Sequence, residues 1–107
     1  MTVIALLADE GAAADVRAGF EEEGVPLAVD LVSGDAFELA REAARRSPLG
    51  LGVGGDTSRL VLVLAAASGH AYLEAPTAEA RAFGRSAARV ASRRPLALLA
   101  GGPFGRP

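Results

Sequence analysis

The chain has 107 residues, half of them hydrophobic, with no cysteine and a net charge of −2. That length gives one domain with a modest core, and so apolar a chain folds rather than staying disordered. Disulfides, thiolate metal sites and thiol nucleophiles are excluded, and an acidic balance with five aromatics argues against nucleic-acid binding.

Residues 3–7 form an apolar run of β-formers and predict a buried strand. The opening MTVIALLADE has no basic flank and no small-residue cleavage site, so it reads as that strand and not as a signal peptide. No apolar stretch approaches the roughly 18 residues of a membrane span, and the expected location is the cytoplasm. Asp9 and Glu10 stand where a helix N-terminus favours negative charge. A first helix is predicted over 11–23, with Ala12, Val16 and Phe20 on its apolar face. Gly24 and Pro26 stop it.

A second strand is predicted over 27–32, followed by a turn at Ser33-Gly34-Asp35. Asp35 and Glu38 make a capping-box spacing. Ala36, Leu39, Ala40, Ala43 and Ala44 follow the helical period, and Ser47-Pro48 breaks that second helix. A glycine-rich third strand over 49–53 leads through Gly54-Gly55-Asp56-Thr57 to a strongly apolar fourth strand over 59–66. The short connection predicts an antiparallel hairpin.

Residues 67–76 read as loop. Thr77 is the expected cap of a third helix ending near Arg93, with Ala80, Phe83, Ala87, Val90 and Ala91 buried and Arg81, Arg85 and Arg89 along another face. Pro95 ends it. Residues 96–99 read as a fifth strand, and 101–107 as a loose glycine- and proline-rich tail after a single domain over 1–100. The expected fold class is α/β: a three-layer α/β/α domain with a five-stranded mixed sheet, one strand antiparallel, in the order β-α-β-α-β-β-α-β.

Charge is unevenly placed. Residues 1–40 carry nine acids and one arginine, and residues 41–107 carry four acids and ten arginines. Such asymmetry marks either a polar binding face or two halves that neutralise each other on folding. Gly50, Gly52 and Gly55 match G-x-G-x-x-G, but a strand follows instead of the helix that would hold a pyrophosphate. Close strand packing and a tight turn explain them better. No Walker A sequence and no lysine is present. His70, the single histidine, lacks a sequence-adjacent catalytic partner, and the cobalamin-ligating D-x-H-x-x-G pattern is absent. Asp56 reads as a turn-former. Glu21, Glu22 and Glu23 stand at a helix C-terminus, where the dipole disfavours acids; they face a cation, a basic partner or solvent.

Three segments carry a resemblance. Gly19-Phe20-Glu21-Glu22-Glu23-Gly24-Val25-Pro26 is similar to G-I-E-E-E-G-I-P. Residues 43–56, AARRSPLGLGVGGD, are similar to A-A-x-x-S-P-L-x-V-G-I-x-x-D. Residues 84–91, GRSAARVA, are similar to G-x-N-A-A-R-L-V. In this order and spacing they resemble the small subunit of diol and glycerol dehydratase reactivases, related to the medium subunit of the dehydratases themselves. Ser86 departs from the usual asparagine, Leu96 from a common phenylalanine, and the family's longer polar tail is missing.

The resemblance implies a non-catalytic subunit of a chaperone-like factor. Its partner is an ATPase large subunit, in a hetero-oligomer of α2β2 type, and the dehydratase is bound transiently. The small subunit trades places with the dehydratase medium subunit, so that damaged cobalamin is released. The resemblance also implies that Glu22 approaches a Mg²⁺ or Ca²⁺ held largely by the large subunit, with no cofactor bound by this chain alone. Two other readings stand beside it: a dehydratase medium subunit or fragment, which would help hold cobalamin, and an unrelated small α/β ligand-binding domain with a pocket near His70 or Asp56.

Overall fold

The structure, a computed structural model, describes residues 2–67 and 70–99. Its elements are β1 (Val3–Leu7), α1 (Glu10–Glu22), β2 (Leu27–Leu31), α2 (Ala36–Arg46), β3 (Leu51–Gly55), β4 (Arg59–Leu64), β5 (Ala71–Pro76) and α3 (Ala80–Leu99). They build one five-stranded sheet in the order β2-β1-β3-β4-β5. β1 runs parallel to β2 and β3, and β4 pairs antiparallel with both β3 and β5. The α/β class, the mixed sheet and its one antiparallel strand are as expected. So is the hairpin, closed by Asp56, whose Oδ1 accepts from the backbone N–H of Ser58 and Arg59 at 2.7 and 2.8 Å.

The last two elements come in the reverse of the expected succession. The fifth strand is Ala71–Pro76, within the predicted loop, and residues 96–99 continue α3 instead of forming a strand. Leu73 and Ala75 of β5 pack against the core while Tyr72 and Glu74 face outward. That alternation is real but short, and only the neighbouring β4 makes it legible. Pro95 does not end the helix, which runs to Leu99. Thr77 is not its cap either. It opens a short 3₁₀ turn, and its hydroxyl donates to the Thr57 carbonyl at 3.0 Å. The expected tail, 101–107, lies outside the described residues.

The two faces of the sheet are covered unequally. α1 and α3 lie side by side on one face, over a large core that holds Leu7, Val16, Phe20, Val53, Leu62 and Phe83. α2 lies alone on the other face, where Ala36, Ala40 and Ala44 meet Val61 and Val63. The expected faces of α1 and α2 are buried except for half-buried Leu39, and Val90 is half-buried on α3. α1 and α2 both start with side-chain caps: Asp9 accepts from Ala12 N–H at 2.8 Å and Asp35 from Glu38 N–H at 3.0 Å.

Gly52 lets α2 sit directly on the sheet. A Cβ there would fall 2.0 Å from the Ala44 nitrogen and 2.4 Å from the Ala40 oxygen. The glycine series thus serves a turn at Gly50 and close packing at Gly52 and Gly55, as its sequence context indicated. β3 spans Leu51–Gly55, two residues later than expected, because Gly50 (φ +70°) is still turning after α2.

Candidate functional site

The acid run ends α1. Its last helical residue, Glu22, meets the arginine series of α3. Arg81 donates from Nε to Glu22 Oε2 at 2.5 Å, and Arg85 from Nη1 to Oε1 at 3.4 Å. One residue on, Arg89 donates from Nε to Glu23 Oε2 at 3.2 Å. The helical spacing of Arg81, Arg85 and Arg89 places their guanidinium groups in a row, alongside the carboxylates that terminate the neighbouring helix. The helix dipole opposes those carboxylates, and the arginines offset it. The hydrogen bond from Arg81, reinforced by the charge of Arg85, holds the Glu22 carboxyl below its ordinary 4.5.

The backbones beneath this charge row approach closely. A Cβ on Gly19 would fall 2.5 Å from the Arg81 oxygen, and one on Gly84 would fall 2.6 Å from the Val16 oxygen. Glycine on both helices sets the separation at which arginine and glutamate meet. The uneven charge along the sequence resolves here into contact between its acidic and basic parts. Arg59 makes a further such contact with Asp35 at 3.7 Å, and also pairs with Glu74 of its own part at 3.1 Å.

The cluster fits a cation poorly by itself. Both oxygens of Glu22 are occupied by arginine, and no group of three or more metal-ligating side chains occurs among the described residues. A hard cation requires several oxygen ligands, and the carboxylates of Glu22 and Glu23 are already engaged by arginine.

The other candidates do not converge. His70 is exposed just before β5, and Asp56 is taken up by the turn, where the N–H groups of Arg59 and Ser58 lower its pKa. An open depression of about 480 Å³ lies beside α2, lined by Glu38, Arg41, Glu42, Arg45 and Val63 among others, and includes neither His70 nor Asp56. Its charges are mutually paired, Glu42 with Arg45 and Arg46, and Glu38 with Arg41. Among the described residues the exposed large apolar side chains are Leu31 and Val32, at and just after the end of β2, and Tyr72 on β5. No described helix is long and apolar enough to cross a membrane.

Residues 2–97 match the family model described as dehydratase medium subunit. The chain belongs to the dehydratase medium subunit family. Two solved structures are similar along nearly their whole length. A glycerol dehydratase reactivase chain is 25% identical with a TM-score of 0.75, the match covering 84% of this chain and 90% of that one. A chain of a diol dehydratase-reactivating factor complexed with ADP and Mg²⁺ is 28% identical with a TM-score of 0.71, covering 99% of this chain and 96% of that one. No curated protein matches.

The three family-like segments have physical meanings in this fold. The first and third are the two sides of the α1–α3 contact, joined by Gly19 and Gly84 and by the ion pairs of Glu22 and Glu23 with Arg85 and Arg89. The second is the α2–β3 contact. There Ser47, missed as a structural residue by sequence reading, donates from Oγ to the Thr2 carbonyl at 2.9 Å and accepts from Leu49 N–H at 3.1 Å. The pairing of the acid run with the arginine row was also missed. The charge asymmetry and the helical spacing of the arginines were its only signals.

Proposed function

We propose that this chain is the small, non-catalytic subunit of a reactivating factor for an adenosylcobalamin-dependent diol or glycerol dehydratase. The observation that carries this reading is its likeness to two reactivase chains over 90% and 96% of their lengths. The family match over residues 2–97 agrees with it.

In this reading the partner is an ATPase large subunit, in an α2β2 complex. The chain and the dehydratase medium subunit share a fold, so one takes the other's place on its partner. Departure of the small subunit frees a surface of the large subunit that docks on the damaged enzyme. Steric conflict then loosens that enzyme, and inactive cobalamin leaves. This chain supplies shape and surface, and its residues move no proton and break no bond.

Glu22 enters the reading as one carboxylate offered to a Mg²⁺ or Ca²⁺ held by the large subunit. That role requires Arg81 and Arg85 to release it, since a carboxylate oxygen held by a guanidinium is a poor cation ligand.

The test is to mix the purified chain with a reactivase large subunit from the same genome and measure complex mass by light scattering, with and without ATP and Mg²⁺. A stable hetero-oligomer is expected, weakened by Glu22→Ala in the presence of Mg²⁺. No association under any condition overturns the assignment. Incorporation instead into a dehydratase complex that retains cobalamin would make the chain a dehydratase subunit.

A further inference from the structure

We propose that two copies of this chain pair edge to edge through β2, antiparallel about a two-fold axis at Val29. Among the described residues no strand lies beyond β2, so one side of Leu27–Leu31 is unpaired. The hydrogen bonds at its two ends identify the groups that face outward. The Pro26 carbonyl accepts from Val3 N–H, and Val32 N–H donates to the Leu7 carbonyl. Even-numbered residues of this strand therefore turn their backbone groups toward β1, and Leu27, Val29 and Leu31 turn theirs to the open edge.

Those three residues are self-complementary. With Val29 opposite Val29 of a second copy, Leu27 stands opposite Leu31 of the second copy and Leu31 opposite its Leu27. All three are hydrogen-bonded antiparallel pairs, in which both residues exchange N–H and C=O. Their side chains share one face, the face that packs toward α1 and α3, where Leu27 and Val29 are half-buried against the core. Leu31, 56% exposed in the single chain, gains an apolar neighbour from the second copy. On the other face each Ala28 meets Asp30 of the second copy, so no like charges oppose each other. The result is a continuous ten-stranded sheet with an isologous interface.

The edge is lightly guarded: Pro26 precedes it and Asp30 is its one charge, but Asp30 lies on the other face from Leu27, Val29 and Leu31. No proline, lysine or bulge interrupts Leu27–Leu31. The opposite edge, β5, ends in Pro76, carries Glu74 and pairs with β4 through an irregular register at Leu62 and Val63. The β5 edge thus carries the irregular register, whereas the pairing of β2 with β1 is regular.

Sedimentation equilibrium of the isolated chain over a wide concentration range tests this, together with amide exchange of Leu27, Val29 and Leu31. A concentration-dependent dimer is expected, with all three amides slowing as dimer forms. Leu31→Lys and Ala28→Asp alter exposed positions, and each is expected to shift the chain to monomer with its dilute-solution melting temperature little changed. Monomer at every concentration overturns the proposal. A dimer whose three amides exchange freely overturns it too, because the contact then lies elsewhere. Should either variant unfold, the amide exchange of the unmodified chain still decides. This outcome is independent of whether the large subunit binds.

Discussion

At single residues, the family-like segments read as contact chemistry. Gly52 is glycine because backbone atoms of α2 occupy the place of its side chain, with the Ala44 nitrogen 2.0 Å from where a Cβ would stand. Gly24 is glycine for a different reason: its φ is +71°, and open space surrounds it. The two predict different costs. Gly52→Ala forces α2 off the sheet and is expected to lose about 3 kcal/mol, the upper range of overpacking. Gly24→Ala meets no atom and is expected to lose about 1 kcal/mol, the cost of a left-handed conformation. Urea denaturation of both variants measures the difference, and equal losses would contradict the packing explanation. Ser47 shows how a small polar residue joins distant parts of the chain. Its hydroxyl bonds the Thr2 carbonyl 45 positions away and so fixes the end of α2 to the start of β1.

At the scale of elements, α1 and α3 form a unit held by close glycine contacts below and by charge above. Each ion pair is solvent-exposed and individually weak, but Glu22 accepts from two arginines at once. Its carboxyl is lowered from the ordinary 4.5, first by the hydrogen bond from Arg81. A carboxyl with a depressed folded pKa stabilises the fold above its unfolded value, and the effect is lost as pH falls through the folded value. The melting temperature of the chain is therefore expected to decline as pH drops below about 4.5, and more steeply than that of Glu22→Gln. Added salt is expected to narrow the gap between the two proteins. Parallel acid limbs in thermal melts would show that the pairing contributes nothing.

For the molecule as a whole, the asymmetry of the layers governs stability. α1 and α3 cover their face with Phe20, Val16 and Phe83, whereas α2 presents Ala36, Ala40 and Ala44. Alanine buries little apolar area, and the hydrophobic contribution follows area. α2 is expected to open before the sheet does. Native-state hydrogen exchange in mild denaturant should show α2 amides exchanging at a lower opening free energy than those of β1, β3 and β4. A single shared value for all four elements would indicate one cooperative unit.

The order of the first six elements, the apolar faces of all three helices, the cap Asp35 and the β3–β4 hairpin were legible in the sequence. Each rests on periodicity or on chemistry between near neighbours in the chain. That Gly50, Gly52 and Gly55 serve a turn and close packing was legible for the same reason, since they lead into a strand. The tertiary structure decided the rest. β5 became a strand because β4 offers it a ladder, and its own alternation, Leu73 and Ala75 inward against Tyr72 and Glu74 outward, is too brief to declare itself. Glu22 found Arg81 and Arg85, 59 and 63 positions later, only because Gly19 and Gly84 bring two helices together. The open edge of β2 follows from the strand order, which no local pattern encodes. Local periodicity determined what most segments are, and long-range packing determined which charges meet and which strands lie at the edges.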